Sequence, residues 1–298
     1  MAGLPGLSDE NRRRQLTQDE QAAVWVRHSQ QWSRVGPPLK PSAEDADITL
    51  RALTPDMAIQ TGPCRVVVLG VTPELVGLPW PRHVQLFAFD HSARMIADVW
   101  SPNPSVPSFV QEADWRSLPL DSSSVHAAVG DGSLNALPGF DVYGLVLREL
   151  HRVMAPDALL VLRCFIRPEQ AEDLPAIQEA VEAGAVGSFH ALKWRLAMSL
   201  AAATDGCVAV ADIHAAFQNL FPDRSKLSNI TGWAQAQIDT IDAYRAAPTR
   251  YTFPTLQGMR AYCAPWFDVQ AVQYAHYELA ERCPTLTFRR QGSTGAVQ

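Results

Sequence analysis

Short apolar runs alternate with amphipathic stretches through the middle of the chain. The apolar runs lie at 65–70, 83–90, 108–111, 125–130 and 158–164. Runs this short, without regular polar alternation, are typical of strands buried on both faces of a parallel sheet. Apolar residues at helical spacing recur between them, most clearly at 92–100 and 141–154. Strands that alternate with helices predict a doubly wound α/β sheet.

A large insertion separates this region from the end of the chain. Two further strands are predicted at 266–272 and 285–289, where they would close the sheet as an antiparallel hairpin. About 100 residues lie between the strand that ends near Cys164 and this hairpin, far more than a crossover connection needs. Helical patterns fill this interval, at 174–183, 189–203 and 209–221. We therefore expect a helical cap over the carboxyl edge of the sheet.

Two capping boxes precede the first strand. At 17–20 and 42–45, a threonine or serine that can cap a helix is followed three residues later by an acid. This pattern predicts helices over about 18–33 and 42–53. The expected fold is a Rossmann-like, seven-stranded, mostly parallel sheet with a C-terminal antiparallel hairpin, an inserted helical cap and N-terminal helices. The expected division is an N-terminal helical segment (1–60), a Rossmann-like core (61–167 and 247–298) and the cap (168–246).

The charge balance argues against a nucleic-acid partner. The chain has 25 basic and 31 acidic residues, which gives a net charge of -6, the wrong sign for a surface that binds phosphates. A hydrophobic content of 47% suffices for a full core. The sequence shows no signal peptide and no stretch near the roughly 18 apolar residues of a membrane span. We expect a cytoplasmic protein without a membrane partner.

The lysines and cysteines exclude several classes of site. The three lysines are Lys40, Lys193 and Lys226. None follows a glycine as a phosphate-binding P-loop requires, and none lies four residues after a tyrosine as in Tyr-x-x-x-Lys dehydrogenases. The five cysteines form no C-x-x-C pair, and no H-E-x-x-H motif is present. We therefore expect neither a metal centre nor a disulfide framework.

Glycines and acids follow four successive predicted strands. In an open α/β sheet the ligand lies beyond the carboxyl ends of the strands, where the strand order reverses. Gly70 ends the first strand, and Asp90 ends the second 20 residues later, the spacing at which an acid reaches the hydroxyls of a ribose. Asp114 follows the third strand, where its carboxylate could accept a hydrogen bond from an adenine amino group. Asp131 follows the fourth.

This order of strand ends resembles the class I S-adenosylmethionine-dependent methyltransferases. The resemblance covers roughly 15–165 and 245–290, and the stretches 147–160, 251–257 and 264–268 are similar to later family motifs. The first motif reads V-L-G-V-T-P-E-L in place of the usual G-x-G-x-G loop, which indicates a subgroup. The resemblance implies S-adenosyl-L-methionine as cofactor, held by residues at these strand ends: Gly70, Val71, Thr72, Asp90, His91, Asp114, Trp115, Asp131, Gly132 and Ser133.

The resemblance also implies transfer of a methyl group to an O or N atom of a small molecule. Such an in-line displacement needs alignment and a dry site more than it needs a nucleophile. We expect the cap and a helix around 25–32 to close as a lid over this small-molecule acceptor. The candidates for the acceptor wall are Trp32, Phe189, His190 and Trp194, and those for a general base are His28, Asp131 and His190.

Two alternatives stay open at the level of the sequence. The altered first loop is compatible with a cyclase or lyase that uses the same cofactor and releases methylthioadenosine. The chain is also compatible with a non-catalytic, methyltransferase-like scaffold or activating subunit that binds no cofactor. Nothing in the sequence decides the acceptor or the oligomeric state, and a homo-oligomer is compatible with it.

Overall fold

The computed structural model of this protein describes residues 32–292. The described strands are β1 Cys64–Leu69, β2 Val84–Asp90, β3 Ser108–Glu112, β4 Val125–Asp131, β5 Met154–Arg163, β6 Cys207–Ala209, β7 Arg250–Thr252, β8 Phe267–Gln273 and β9 Thr285–Arg290. Seven of them form one sheet in the order β3-β2-β1-β4-β5-β9-β8. Strands β1 to β5 run parallel, and β9 is antiparallel to both β5 and β8. The predicted seven-stranded Rossmann-like sheet with a C-terminal antiparallel hairpin is confirmed.

The strand order reverses between β1 and β4. Strands β2 and β3 extend the sheet on one side of β1, whereas β4 and β5 extend it on the other. Connections that leave two neighbouring parallel strands in opposite directions open a crevice at their carboxyl ends. Residues 70–72, which follow β1, and residues 131–133, at the end of β4, flank this crevice.

Successive residues of β1 pack on opposite faces of the sheet, as the period of a strand requires. Val66 belongs to the same apolar cluster as Leu53 of the helix Ala43–Ala58. The next residue, Val67, packs instead in the cluster that contains the apolar side of the helix Phe140–Val153. Both valines are fully buried. The uninterrupted apolar sequence of β1 therefore reflects helices on both faces of the sheet.

The described helices flank the sheet and fill the insertion. They are Ala43–Ala58, Pro73–Val76, Ala93–Val99, Phe140–Val153, Leu174–Glu182, Phe189–Ala202, Val210–Leu220, Arg224–Thr231, Gln235–Ile238 and Leu256–Cys263, with short 3₁₀ helices at Trp32–Arg34, Asp239–Tyr244 and Ala280–Arg282. Within the described range, no helix is long and apolar enough to cross a bilayer. The helix predicted over 18–33 lies outside the described residues except for its last two positions, 32 and 33.

The capping box predicted at 42–45 is present. The amide of Asp45 donates to Ser42 Oγ at 3.1 Å, and the amide of Ser42 donates to Asp45 Oδ2 at 2.8 Å. The helix continues to Ala58, beyond the predicted end near Leu53 and through Pro55. Burial of Met57 against the sheet offsets the backbone hydrogen bond that the proline removes.

The interval between β5 and β8 is mostly helical, and its three longest helices lie where the sequence predicts them. These helices enclose an apolar core of their own, which includes Phe189 and Phe217. Strands β6 and β7 pair with each other. They were not predicted, because three-residue strands are too short to show a period of two. We use the name "cap" for residues 168–246.

Candidate functional site

Three residues that were predicted from separate strand ends meet at Gly70. Its φ of +98° lies in the left-handed region that favours glycine. A Cβ at this position would lie 3.8 Å from Asp90 Oδ2 and 4.0 Å from Trp115 Cζ2. The indole N–H of Trp115 donates to the carbonyl of Phe89 at 2.7 Å. The ends of β1, β2 and β3 thus bring a carboxylate and an aromatic ring to one glycine.

Asp90 is a desolvated carboxylate in this group. Its side chain accepts a hydrogen bond from the amide of Ser92 at 2.8 Å through Oδ1. Burial is the main cause that raises the pKa of Asp90 above its usual value, against the lowering effect of that hydrogen bond. His91 Nδ1 lies 3.7 Å from the same oxygen. A buried carboxylate of this kind gains most from a ligand that donates hydrogen bonds.

A cavity of about 340 Å³ lies beside these residues. The predicted cofactor residues in its wall are Asp90, His91, Asp114 and Trp115. Asp114 is exposed and bound by Arg116, whose Nε lies 2.9 Å from both carboxylate oxygens. The hydrogen bonds from Arg116 lower the pKa of Asp114. The structure therefore places Arg116 in the candidate site, a residue that the sequence analysis did not identify.

Asp131 lies at the other side of the crevice in a buried ion pair. Arg163 Nε is 2.9 Å from Asp131 Oδ1 and 3.9 Å from Asp45 Oδ2. The terminal nitrogens of Arg163 also donate to the carbonyl of Pro38 at 3.0 and 2.8 Å. Burial raises the pKa of Asp131 to about 7, with the Arg163 charge opposing this shift. Sequence reasoning missed Arg163 because arginine as the last residue of a strand carries no specific signal.

The remaining predicted cofactor residues lie close to the crevice but bond within the protein. Ser133 Oγ donates to the carbonyl of Leu69 at 2.9 Å and joins β4 to β1. Gly132 has φ +58°, and a Cβ there would collide with Phe165. Val71 is buried. Thr72 occupies the N-cap position of the short helix that follows β1, but its side chain makes no capping hydrogen bond.

A second cavity, of about 140 Å³, lies between the crevice and the cap. Thr72, Asp131 and Gly132 contribute its sheet side. Other segments supply an aromatic wall of Trp32, Phe165, Trp194, Tyr244, Tyr251 and Phe253. Ala136 lines this cavity and also the larger one. The two cavities are therefore neighbours that share Ala136, beyond the carboxyl ends of the parallel strands.

The predicted acceptor residues divide into two groups. Trp32 and Trp194 line the smaller cavity. Phe189 instead packs inside the cap, with its ring centroid 5.4 Å from that of Phe217. His190 Nε2 lies 3.1 Å from the carbonyl of Arg34, and burial lowers the pKa of His190 to about 4. Both residues lie outside the linings of the two cavities, and His28 lies outside the described residues.

Lys193 is the principal residue that the sequence analysis did not select. It lines the smaller cavity and is 2% exposed. Its Nζ donates to Thr240 Oγ1 at 3.0 Å and lies 5.3 Å from the ring centroid of Tyr244. It forms no ion pair with a carboxylate of the residues that the structure describes. Burial alone lowers the pKa of Lys193 to about 7. The sequence feature that could have identified Lys193 is that it is the one lysine in the largely apolar helix Phe189–Ala202.

Lys193 should make the stability of the protein depend on pH. Its pKa is about 7 in the folded chain against an ordinary value of 10.5, so between these values the unfolded chain binds more protons. The resulting penalty on folding is fully present below about pH 7 and is removed as the pH rises towards 10. As the pH increases through this range, we expect the free energy of unfolding of the wild type to rise relative to that of Lys193→Met, by up to roughly 1.4 kcal/mol per pH unit.

Urea denaturation at several pH values across this range measures the difference. Lys226→Met is the matched control, because Lys226 is exposed and its replacement should leave the pH dependence unchanged. A constant difference between wild type and Lys193→Met would contradict the prediction.

The known proteins that this chain resembles are similar to it in fold but not in sequence. No family model matches the sequence, and no curated protein sequence matches it significantly. A structure from Rhodobacter sphaeroides, described as a putative zinc-dependent alcohol dehydrogenase, is 13% identical with a TM-score of 0.56 and covers 92% of this chain and 98% of its own. At this identity the similarity supports a shared fold and nothing about activity.

Two other similar structures are described as methyltransferases, the first of them as S-adenosylmethionine-dependent. The Methanosarcina mazei structure is 12% identical, has a TM-score of 0.47, and covers 79% of this chain and 96% of its own. The second structure is the Burkholderia thailandensis 1,6-didemethyltoxoflavin-N1-methyltransferase with bound 1,6-didemethyltoxoflavin and S-adenosylhomocysteine. It is 13% identical, has a TM-score of 0.45, and covers 98% of this chain and 94% of its own.

The described residues include neither a cluster suited to a metal ion nor a cysteine suited to act as a nucleophile. Across 32–292, no group of three or more His, Cys, Asp or Glu side chains is arranged to hold a metal ion. All five cysteines are free and buried. Burial raises the pKa of each thiol, to about 11 for Cys64 and about 12 for Cys263 and Cys283. These thiols are therefore poor candidates for nucleophiles.

Proposed function

We propose that this protein is an S-adenosylmethionine-dependent methyltransferase that acts on an O or N atom of a small molecule. The observation that carries this proposal is the pair of neighbouring cavities that share Ala136 at the carboxyl edge of the parallel strands. One is lined by Asp90 and Trp115, and the other is covered by the cap. A reaction between a nucleoside cofactor and a separate acceptor needs two such compartments that meet.

The residues around the larger cavity fit an adenosyl group. The buried carboxylate of Asp90 suits two ribose hydroxyls, and the indole of Trp115 suits the adenine ring. The volume of about 340 Å³ falls in the usual range for small-molecule sites. S-Adenosylmethionine bound there would supply a methyl group on a sulfonium, which is already activated for displacement.

The residues around the smaller cavity would bind and orient the acceptor. An acceptor packed against its aromatic side chains would leave little room for water, and this would strengthen each polar contact made inside the cavity. Trp32 and Trp194, which were predicted for the acceptor wall, both contribute to it. We therefore assign the cap the role of a lid over a small-molecule acceptor.

Asp90→Ala should weaken the binding of S-adenosylmethionine roughly ten- to a hundredfold, a loss of about 1.5 to 3 kcal/mol from missing charge-assisted hydrogen bonds. Isothermal titration calorimetry on the folded variant measures this loss. Asp47→Ala is the matched control, since Asp47 is exposed and pairs with Arg51 on the surface of a helix. It should leave the affinity unchanged.

Three outcomes would count against parts of this proposal. An unchanged dissociation constant in folded Asp90→Ala would remove the ribose assignment. Failure of the wild-type protein to bind either S-adenosylmethionine or S-adenosylhomocysteine would overturn the proposed function and favour a non-catalytic scaffold. Release of methylthioadenosine in place of S-adenosylhomocysteine would favour a cyclase or lyase.

A further inference from the structure

The smaller cavity has the size and lining to hold one planar ring. Its volume is about 140 Å³, close to that of an apolar cavity known to accept benzene, about 150 Å³. The rings of Trp194 and Phe253 lie edge to face with centroids 5.4 Å apart, and Trp194 and Phe165 are 4.9 Å apart. Aromatic walls in this arrangement favour a flat ligand.

Three nitrogen donors in this wall have fewer hydrogen-bond acceptors than their burial requires. The indole N–H groups of Trp32 and Trp194 are buried and have no acceptor among the described residues, and Trp194 is 5% exposed. Lys193 Nζ has one acceptor, Thr240 Oγ1, although an ammonium group carries three hydrogens. A ligand oxygen in this cavity would supply an acceptor of the kind that these donors lack.

The charged and titratable groups around Lys193 leave its amine without an anion. On its own helix His190 is neutral near pH 7, because burial lowers its pKa to about 4. From the 3₁₀ helix, Tyr244 presents its ring, and its hydroxyl bonds with that of Tyr251. From the sheet, Asp131 is paired with Arg163 at 2.9 Å. The Phe189 ring packs on the remaining side.

We propose that the acceptor is a small planar molecule with an acidic hydroxyl group, a phenol or an enol, and that Lys193 removes its proton. This inference rests on the proposed methyltransferase function. The O–H bond breaks with its electron pair left on oxygen, and the proton passes to the neutral amine of Lys193. With S-adenosylmethionine bound, the oxyanion would attack the sulfonium methyl carbon, the electron pair of the broken C–S bond would go to sulfur, and a neutral ether and a neutral thioether would result. The ammonium of Lys193 returns its proton to water.

The cavity favours a weak acid over a carboxylic acid. A carboxylate is charged in water and must lose its hydration shell to enter an apolar cavity, whereas a phenol or enol enters uncharged. Proton transfer inside the cavity then creates the ammonium and the oxyanion in contact, where each stabilises the other. The indole N–H of Trp194 adds a donor for the oxyanion.

Binding of para-nitrophenol to the protein without cofactor tests this inference. The anion of this probe absorbs visible light and the neutral form does not, so its absorbance reports the proton transfer directly. In the wild type we expect the bound probe to ionise at a pH lower than the free probe by about one unit. Lys193→Met should abolish this shift, and Lys226→Met should retain it. Para-nitroanisole, which has no hydroxyl proton, should bind wild type and Lys193→Met equally.

Several results would overturn the inference. One is an unshifted ionisation of the probe in the wild type, and another is an equal shift in Lys193→Met. Tighter binding of benzoate than of para-nitrophenol would exclude the hydroxyl class. If Lys193→Met does not fold, carbon-13-labelled lysine in the wild type serves as the readout: one of the three ε-carbon signals should move its titration midpoint when the probe binds, and no movement contradicts the proposal.

These experiments are separate from the test of the proposed function, because none of them contains the cofactor. Absence of S-adenosylmethionine binding together with a shifted probe would overturn the methyltransferase proposal but retain the hydroxyl site at Lys193. If the protein binds S-adenosylmethionine but does not shift the ionisation of the probe, the methyltransferase proposal stands and Lys193 is not the base.

Discussion

Replacement of Arg163 by methionine should lower the free energy of unfolding by about 3 to 5 kcal/mol, the usual cost of removing one partner of a buried ion pair. The side chains of Arg163 and Asp131 are 3% and 4% exposed. The change leaves the carboxylates of Asp131 and Asp45 in the interior without a guanidinium, and it leaves the carbonyl of Pro38 without its two donors. Urea denaturation near neutral pH measures the loss.

Two further variants isolate the cause. Arg94→Met breaks an exposed pair with Asp98, one helical turn away, and should cost at most about 0.5 kcal/mol. Addition of Asp131→Asn to Arg163→Met should recover part of the lost stability, since it removes an unpaired buried charge. A loss below about 1 kcal/mol in Arg163→Met would show that water or neighbouring groups already solvate these carboxylates.

Asn135→Ala should destabilise the protein by about 3 kcal/mol, because three buried hydrogen bonds lose their partner at roughly 1 kcal/mol each. Asn135 Nδ2 donates to the carbonyls of Phe165 and Thr252 at 2.7 and 2.6 Å. Its Oδ1 accepts from the amide of Phe165 at 2.9 Å. One side chain thus joins the loop after β4, the end of β5 and the strand β7 that follows the cap.

Chemical denaturation measures this loss as well. Asn229→Ala is the matched control, since Asn229 is exposed in the helix Arg224–Thr231 and its replacement should change stability by no more than about 0.5 kcal/mol. A cost for Asn135→Ala as small as that of the control would contradict the structural role assigned to this side chain. Hydrogen exchange should also show earlier opening of β7 in Asn135→Ala.

The sequence predicted the sheet well because the signal for each strand is local. Val66 and Val67 are both apolar since each face of β1 is covered by a helix, and such a run is visible without knowledge of its partners. The hairpin of β8 and β9 and the three longest cap helices were visible for the same reason. The 20-residue spacing from Gly70 to Asp90 led to the prediction that both residues belong to one site, and in the structure they lie next to each other.

The sequence did not predict which side chains of the cap meet the cavity. His190 and Trp194 lie one helical turn apart, yet His190 bonds to the carbonyl of Arg34 whereas Trp194 lines the cavity. A helical period indicates which residues share a face, but the path of the neighbouring chain decides what that face touches. Strands as short as β6 and β7 leave no periodic signal at all.

By itself, then, the sequence determined the strands of the seven-stranded sheet, the longer helices, the insertion after β5 and the acids at the strand ends, because each is encoded over a few neighbouring residues. The tertiary structure alone decided the chemistry of the cavity under the cap. Lys193 meets Thr240 across 47 residues, and Arg163 meets the Pro38 carbonyl across 125. Contacts over such separations, and the burial that lowers the pKa of Lys193, arise only when distant segments pack together, and no local pattern of residues encodes them.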